Sequence, residues 1–341
     1  MCQSKADGGK RCNAHRGFYF SANTLDSEMK DDNNKIQVPK NPAQALHIMA
    51  YAANGYDISD KHITQAQNFD ISELTPEQQW VTWKNFSLSL TPSKGLTFLY
   101  ESGFEPYYEE LHAVRGVPQP ANWHPEGSVE KHLQEAADKA AGYARDDKLN
   151  QRETQIAVLG ATVHDFGKAT HTQIVGDKIT SHQHDTAGAP IAKAFLQRIG
   201  APEPVTRIVP TLVKLHMCHA HKNLSYKGMN NIFKKLERKG ATFDQLIRVM
   251  NADVGGRGTA SEPRTDDYWK AQIKKFAEQE ERDKKAKEVK NNLPFTADSL
   301  RAQGYNNQQV GQIFIKGKSM LKETPNLTQE DIIRAYEKEN K

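Results

Sequence analysis

Apolar residues recur every three or four positions along most of the chain, which is the spacing of one face of an α-helix. Strict alternation of apolar and polar residues, the pattern of a half-buried strand, is scarce. The pattern therefore predicts an all-α protein. In the central part of the chain it predicts helices near residues 129–145, 151–165, 186–199, 203–218, 229–239 and 242–253.

Capping residues predict two further helices before residue 118. In "NPAQALHIMAYAANGYDIS", Pro42 stands at the first helical position and Gly55 ends the helix. In "SELTPEQQWVTWKNFSLSL", Thr75 is predicted to cap the helix and Gln78, three residues later, to complete a capping box. The aromatic residues of this second stretch have helical spacing, so we expect them in the core rather than as a platform for stacking bases.

The chain is expected to divide into four regions. Residues 1–37 are rich in Gly, Asn, Asp, Lys and Ser and are predicted to be a mobile tail. Residues 38–118 form a helical region, residues 119–262 a histidine-rich domain, and residues 263–341 a charged helical tail. Within that tail, a last pair of helices is predicted near 296–303 and 328–338, flanking a turn at Gly304.

Composition excludes several classes of protein. The chain has 341 residues, a net charge of +4 and three cysteines, too few for a disulfide framework. No apolar run approaches the roughly 20 residues that cross a bilayer, and the N-terminus lacks a signal-peptide core. We therefore expect a cytoplasmic protein with no membrane partner. The mild positive charge permits a nucleic-acid partner without arguing for one, and the oligomeric state stays open.

Ten of the thirteen histidines lie between His112 and His221. Imidazole binds transition metals while neutral near pH 7, so such clustering is what a metal site requires. His132 and His164 fall on the apolar stripes of their helices and are expected to face inward. Asp165 follows at a helix C-terminus, where a carboxylate opposes the helix dipole unless a cation compensates.

The first candidate metal site consists of His132, His164, Asp165 and Asp253. Each is expected near the end or on the buried face of a helix, and nitrogen and oxygen donors of this kind suit a divalent ion: Mn, Ni, Co, Fe, Mg or Zn. Gly167, two residues after the aspartate, is expected to take a left-handed cap conformation.

A second candidate group lies nearby. His182, His184 and His216 are expected to ligate a second ion or to bind a substrate phosphate, and Lys168 to neutralise phosphate charge. A solvated lysine is the alternative for Lys168. Four other histidines of the segment, His112, His171, His219 and His221, are interpreted as hydrogen-bonded core residues. At the N-terminus, zinc ligation by Cys2, Cys12 and His15 is less favoured than an unstructured tail, because their spacing fits no closed site.

An early histidine, an HD pair and a late aspartate, all on helices, resemble the HD-domain metal-dependent phosphohydrolases. More specifically, "GVPQPANWHPEGSVEKH", "ATVHDFGK" and "HQHDTAGAP" resemble the HD domain of bacterial CCA-adding enzymes, the tRNA nucleotidyltransferases. The helical stretches upstream resemble the neck and body helices of that family. The resemblance covers about residues 38–260 and implies a helical neck and body over 38–118 and an HD helical bundle over 119–262, followed by the tail.

Two departures from the nucleotidyltransferase family imply that nucleotide addition is lost. The forty residues before the neck contain no Gly-Ser motif with paired carboxylates, which the catalytic head requires. Asn41, Gln44, His47 and Ala50 stand where the family carries the arginines of its neck helix.

The resemblance implies hydrolysis of phosphoesters on nucleotides or RNA ends, as a 2′,3′-cyclic phosphodiesterase, 2′-nucleotidase or phosphatase. Asp165, Lys168 and His184 would then be the catalytic residues, with His184 or His216 protonating the leaving alkoxide. The alternatives are a non-catalytic module that binds RNA, tRNA included, through lysines such as those in "NIFKKLERKG" and "IKGKSMLK", and an HD hydrolase of a (deoxy)nucleoside triphosphate or cyclic oligonucleotide. The substrate and the number of ions stay open.

Overall fold

The computed structural model describes residues 29–31, 35–220, 224–260, 262–291 and 293–340. Its contacts divide the chain into two compact units, the first ending at Asp266 and the second beginning at Asp267. Cys2, Cys12, His15 and His221, and nearly all of the predicted N-terminal tail, lie outside the described residues. No helix in the described ranges is long and apolar enough to cross a membrane.

The first unit is built from helices, as predicted. Their bounds are α1 Pro42–Ala53, α2 Asp60–Ala66, α3 Pro76–Ser87, α4 Pro92–Glu101, α5 Glu109–Val114, α6 Val129–Asp146, α7 Gln151–Val163, α8 Lys168–His171, α9 His184–Arg198, α10 Glu203–Leu215, α11 Tyr226–Glu237 and α12 Phe243–Gly255. Short 3₁₀ turns cover Glu105–Tyr107, His216–Ala220 and Gly258–Ala260. Among the described residues, the only sheet is an antiparallel hairpin of β1 Gln173–Val175 and β2 Lys178–Thr180.

The predicted capping signals are confirmed. The Asn41 side chain accepts a hydrogen bond from the backbone N–H of Gln44 at 2.9 Å, just before α1 begins at Pro42. Thr75 and Gln78 form the capping box of α3. Gly55 has a φ of +79°, the left-handed conformation that ends α1 without strain. Local sequence is therefore sufficient to place these helices.

Aromatic side chains join the N-terminal helices to the histidine-rich region. Trp83 of α3 is fully buried and lies edge-to-face with Phe195 of α9, the ring centroids being 5.1 Å apart. Tyr108 meets the same tryptophan at 5.3 Å. These rings lie in the core, as the sequence predicts, and they fix α9 against the helices before it.

Five helices form the scaffold of the histidine-rich region. α7 packs against α6, α10 and α12, while α9 and α10 form the most extensive helix pair. At Gly160 of α7 the packing is so close that a Cβ atom would lie 2.8 Å from Cγ2 of Val249 on α12. These contacts bring the ends of α7, α9 and α10 together, and the site lies there.

The second unit holds most of α13 Asp266–Asn291, followed by α14 Ala297–Ala302, α15 Asn307–Glu323 and α16 Gln329–Glu339. Its apolar core consists of Phe295, Leu300, Val310, Ile313, Ile332 and Tyr336. The prediction that a single helical pair flanks Gly304 is wrong in one respect, because α15 lies between the two predicted helices. Gly304 itself has a φ of +96° and forms the turn between α14 and α15.

Candidate metal centre

The structure brings six of the predicted site residues into one buried cluster. α6 carries His132, α12 carries Asp253, and the end of α7 carries the HD pair. His184 begins α9, and His216 directly follows α10. The cluster comprises His132, His164, Asp165, His184, His216 and Asp253, of which none is more than 6% exposed.

The first group of ligand atoms converges around His132. Its Nε2 atom lies 3.2 Å from Nε2 of His164 and 3.2 Å from Oδ1 of Asp253. Nε2 of His164 is in turn 3.3 Å from Oδ2 of Asp165. His132, His164 and Asp253 are close enough together to hold one metal ion.

The second group lies on the other oxygen of the same aspartate. Oδ1 of Asp165 is 3.1 Å from Nε2 of His184 and 3.7 Å from Nε2 of His216. The two imidazole nitrogens are 3.3 Å apart. Asp165 therefore faces the first group through Oδ2 and the second through Oδ1.

Backbone hydrogen bonds fix the ring orientation of three of these histidines. Nδ1 of His164 donates to the Ala161 carbonyl at 2.7 Å, Nδ1 of His184 to Ser181 at 2.6 Å, and Nδ1 of His216 to Val213 at 2.6 Å. In a neutral imidazole held this way, the Nε2 atom carries the lone pair. The lone pairs of the histidines in each group then point toward one another, an arrangement that a cation between them stabilises.

The Asp165 side chain is 1% exposed, and its Oδ2 atom forms an ion pair with the Lys168 ammonium at 2.6 Å. Apart from this ion pair, neither carboxylate oxygen accepts a well-directed hydrogen bond from the described residues. Buried carboxylates normally have such partners, so an ion that completes the surroundings of Asp165 fits this position. The donor set and these oxygens together fit a divalent metal.

The charges of the cluster favour a cation in the same place. Burial alone would keep His164 neutral, but the Asp165 and Asp253 carboxylates outweigh it and raise the pKa of His164 to about 10. Burial and the neighbouring His164 lower the pKa of His216 to about 3, which leaves that imidazole neutral and able to ligate. Positive charge is therefore stabilised at the Nε2 atom of His164, either as a proton or as a metal ion.

The two aspartates remain ionised despite their burial. Burial opposes ionisation of Asp165, yet Lys168 and His164 hold its pKa well below the usual range. For Asp253, the neighbouring His132 and His164 imidazoles outweigh burial and hold its pKa well below the usual range. Both carboxylates are thus available as anionic ligands.

Lys168 lies at the cluster rather than in solvent, so the alternative of a solvated lysine is wrong. Its Nζ atom is 2.6 Å from Oδ2 of Asp165 and donates to Oε1 of Gln119 at 2.8 Å. It begins the short helix α8.

Gly167 does not adopt the predicted left-handed conformation, since its φ is −64°. A glycine is needed here for space, because a Cβ atom would lie 2.0 Å from the carbonyl oxygen of His184. The loop after the HD pair and the start of α9 are consequently in direct contact.

Three predicted histidine assignments need correction. His182 is exposed and lies outside the cluster, although it was expected to ligate or to bind phosphate. His112, expected in the core, has 57% of its side chain exposed. His219, also expected to be a core residue, lies with Nε2 3.6 Å from Oδ2 of Asp253. Its position three residues after His216 in a 3₁₀ turn is the signal that could have placed it at the site.

Sequence analysis also missed two charged residues beside the ligands. Nη2 of Arg257 is 3.4 Å from Oδ1 of Asp253, four residues earlier in the chain. Glu126 lies with Oε1 2.8 Å from Nδ1 of His132 and 2.8 Å from Nδ1 of His124. The spacing from Asp253 could have indicated Arg257, but the loop around Glu126 has no periodicity to interpret.

Comparison with known proteins agrees with the geometry. Residues 129–253 match the HD domain family, a segment that starts with α6 and ends at Asp253. The chain is also similar to the Multifunctional CCA proteins of Vibrio vulnificus strains YJ016 and CMCP6. It is 26% identical to each over 230 residues, which is 64% of this chain and 54% of each relative. The chain thus spans about half the length of the curated relatives it matches.

Proposed function

Because residues 129–253 form an HD domain, the domain of a superfamily of metal-dependent phosphohydrolases, we propose that this protein hydrolyses phosphoesters of nucleotides or RNA ends. The observation that carries the proposal is the convergence of imidazole nitrogens on both oxygens of one buried aspartate, Asp165. HD domains bind divalent metal ions, and the buried clusters of the described chain are able to hold one.

We propose His132, His164, Asp165 and Asp253 as the ligands of the first ion. When bound, a divalent ion supplies Lewis-acid stabilisation of the phosphoryl oxygens and lowers the pKa of the attacking water. The donors are imidazoles and carboxylates without a thiolate, which suits Mn, Ni, Co, Fe, Mg or Zn.

At His184 and His216 we favour a second ion over a substrate phosphate. Both nitrogens face Oδ1 of Asp165, and a phosphate in that position would meet the carboxylate charge as well as any lone pair. Asp165 would then be a ligand shared by the two ions.

Lys168 and Arg257 are the cations proposed to bind the phosphate. Lys168 lies beside Asp165, and Arg257 lies beside Asp253, so positive charge flanks both aspartates of the cluster. Each side chain offers N–H donors to phosphoryl oxygens, whose negative charge the transition state must stabilise.

RNA ends and nucleotides are proposed as substrates through the similarity to Multifunctional CCA proteins. Hydrolysis of a 2′,3′-cyclic phosphate, a 2′-phosphate or another phosphomonoester would use the same site, and tRNA is the RNA partner that this similarity favours. Nucleotide addition is not part of the proposal.

The test is a phosphoester panel on protein stripped with EDTA and reloaded with single metals. Bis-p-nitrophenyl phosphate, 2′-AMP, 2′,3′-cyclic AMP, a deoxynucleoside triphosphate and a cyclic dinucleotide would cover the substrate classes. We expect turnover to vanish with EDTA and return with metal. His164→Ala and Asp165→Ala should each lower turnover by about a thousandfold or more, while His182→Ala, the matched control at an exposed histidine, should retain it.

Full activity in His164→Ala or Asp165→Ala with unchanged metal content would overturn the assignment. A protein that contains no metal, hydrolyses nothing on the panel and binds tRNA tightly in a salt-sensitive manner would favour the alternative of a non-catalytic RNA-binding module.

A further inference from the structure

A groove of about 700 Å³ lies between α9, α10 and α11, apart from the metal cluster. We call it the basic groove, because six cationic side chains line it. They are Lys193, Arg207, Lys214, Lys235, Arg238 and Lys239.

The basic groove concentrates positive charge. Its six cations are accompanied by a single carboxylate, Glu203, whereas the whole chain has a net charge of only +4. Arg207 is engaged locally, since its Nε atom donates to Glu203 at 2.7 Å and its Nη1 atom to the Lys239 carbonyl. The other five cations have no carboxylate within 4 Å among the described residues. Like charges gathered without counter-charges indicate an anionic ligand.

Two of the helices that line the groove also reach the metal cluster at one end. α9 starts at His184 and α10 ends just before His216, and the 3.3 Å between these two imidazoles places both helix ends together. Ala189 and Leu215 line the groove near this end, and Gln197 and Glu203 line it at the far end. With a rise of 1.5 Å per residue, the distance along α9 from His184 to Gln197 is about 20 Å.

The lining indicates which part of a polyanion the groove contacts. No aromatic side chain is among the groove's lining residues, and Ala189, Pro190 and Pro210 present apolar surface between the cations. Base stacking requires aromatic rings, whereas lysines and arginines along a path bind phosphates. A path about 20 Å long is also longer than one mononucleotide needs, and it offers cations at successive positions.

We propose that the basic groove binds the phosphodiester backbone of a single RNA strand whose end lies at the metal cluster. The proposal rests on the proposed phosphohydrolase function only for the position of that end. It makes a polynucleotide, rather than a free mononucleotide, the preferred substrate class.

The test is equilibrium binding of the full-length protein to a fluorescein-labelled 2′-O-methyl RNA strand of about 12 nucleotides, measured by fluorescence anisotropy. The variant is the triple charge reversal Lys193→Glu, Lys214→Glu and Lys235→Glu. Its matched control makes the same change in net charge at three other exposed lysines: Lys61→Glu, Lys274→Glu and Lys275→Glu. Circular dichroism would verify that both variants remain folded.

We expect the groove variant to bind at least about tenfold more weakly at 100 mM salt and to lose about two units of the log–log salt slope. The control should bind within about twofold of the unchanged protein, and turnover of bis-p-nitrophenyl phosphate should be the same in all three. Unchanged binding by the groove variant, or equal weakening in both variants, would overturn the proposal. So would displacement of the strand by stoichiometric ATP.

The same experiments distinguish failure of the hydrolase assignment from failure of the groove proposal. If the hydrolase assignment fails, the unchanged protein would not hydrolyse bis-p-nitrophenyl phosphate, whatever its affinity for the strand. Binding that depends on the groove lysines would still support the basic groove.

Discussion

Glu126 shows how one side chain outside the buried cluster fixes the orientation of an imidazole within it. Its Oε1 atom is 2.8 Å from Nδ1 of His132, and its side chain is 1% exposed. Burial opposes its ionisation, but hydrogen bonds from His132 and His124 outweigh burial and lower the pKa of Glu126. The ionised carboxylate orients the His132 ring so that Nε2 points at the cluster.

Glu126→Gln keeps the shape of the side chain and removes its charge. We expect metal affinity to fall by about 10- to 100-fold, because His132 becomes a weaker and less well oriented ligand. Calorimetric titration of the metal-free protein with Mn²⁺ measures this affinity and does not depend on enzymatic activity. Glu73→Gln, at an exposed position, is the control, and equal affinity in the two variants would show that Glu126 does not act on the ligand.

Individual residues also show which parts of the candidate site can be predicted from the sequence and which cannot. His132 and His164 occupy helix positions that periodicity places on buried faces, so their inward direction is predictable. Glu126 lies in a loop and reaches His132 only through the folded backbone, which no local pattern encodes. His182 and His184 are only two residues apart, yet the start of α9 buries one and leaves the other exposed.

Among the elements, α7 and α12 matter most for the geometry of the site. α7 delivers the HD pair and α12 delivers Asp253, and the two helices approach closely at Gly160, where Val249 lies against the glycine. Any larger side chain at residue 160 has to push the helices apart or displace Val249.

Gly160→Ala should therefore destabilise the protein by about 1–3 kcal/mol through overpacking, despite the better helix propensity of alanine. Gly142→Ala, in the interior of α6, is the matched control, since the nearest atom to its Cβ would be 4.0 Å away. That change should stabilise by up to about 1 kcal/mol. Urea denaturation measures the free energy of unfolding of both variants. Equal changes in the two variants would refute the close contact at Gly160.

The elements that sequence missed depend on tertiary contacts. α15 contains Gly311 and Gly317, which disfavour a helix locally. At Gly317, however, a Cβ atom would lie 2.9 Å from Leu293 and 3.0 Å from Phe295, so the glycine permits close packing of the core. The β1–β2 hairpin exposes Ile174 and Val175, so it has no buried face to create an alternating pattern.

At the scale of the whole molecule, the two units each have an apolar core of their own. The core of the second unit is assembled by residues of α14, α15 and α16 together with Phe295. The predicted boundaries at 118/119 and 262/263 remain predictions, as do the roles of the site residues.

Ile332→Ala should open a cavity in the core of the second unit and destabilise it by about 2–5 kcal/mol. Hydrogen exchange of the amides in α14–α16 should accelerate, while exchange in α6 and α7 stays the same. Ile315→Ala, on α15 but 71% exposed, is the control and should change neither. Faster exchange in α6 would contradict separate cores.

The hydrogen bonds from Nδ1 of His164, His184 and His216 have a consequence for ion capture. Each runs to the carbonyl three residues earlier, so each imidazole loses its rotational freedom when its own helix end forms. Side-chain entropy, up to about 2 kcal/mol for the most flexible residues, is therefore lost during folding and not when an ion arrives. If the cluster binds an ion as proposed, it would select among ions by fixed spacing rather than by adapting to each.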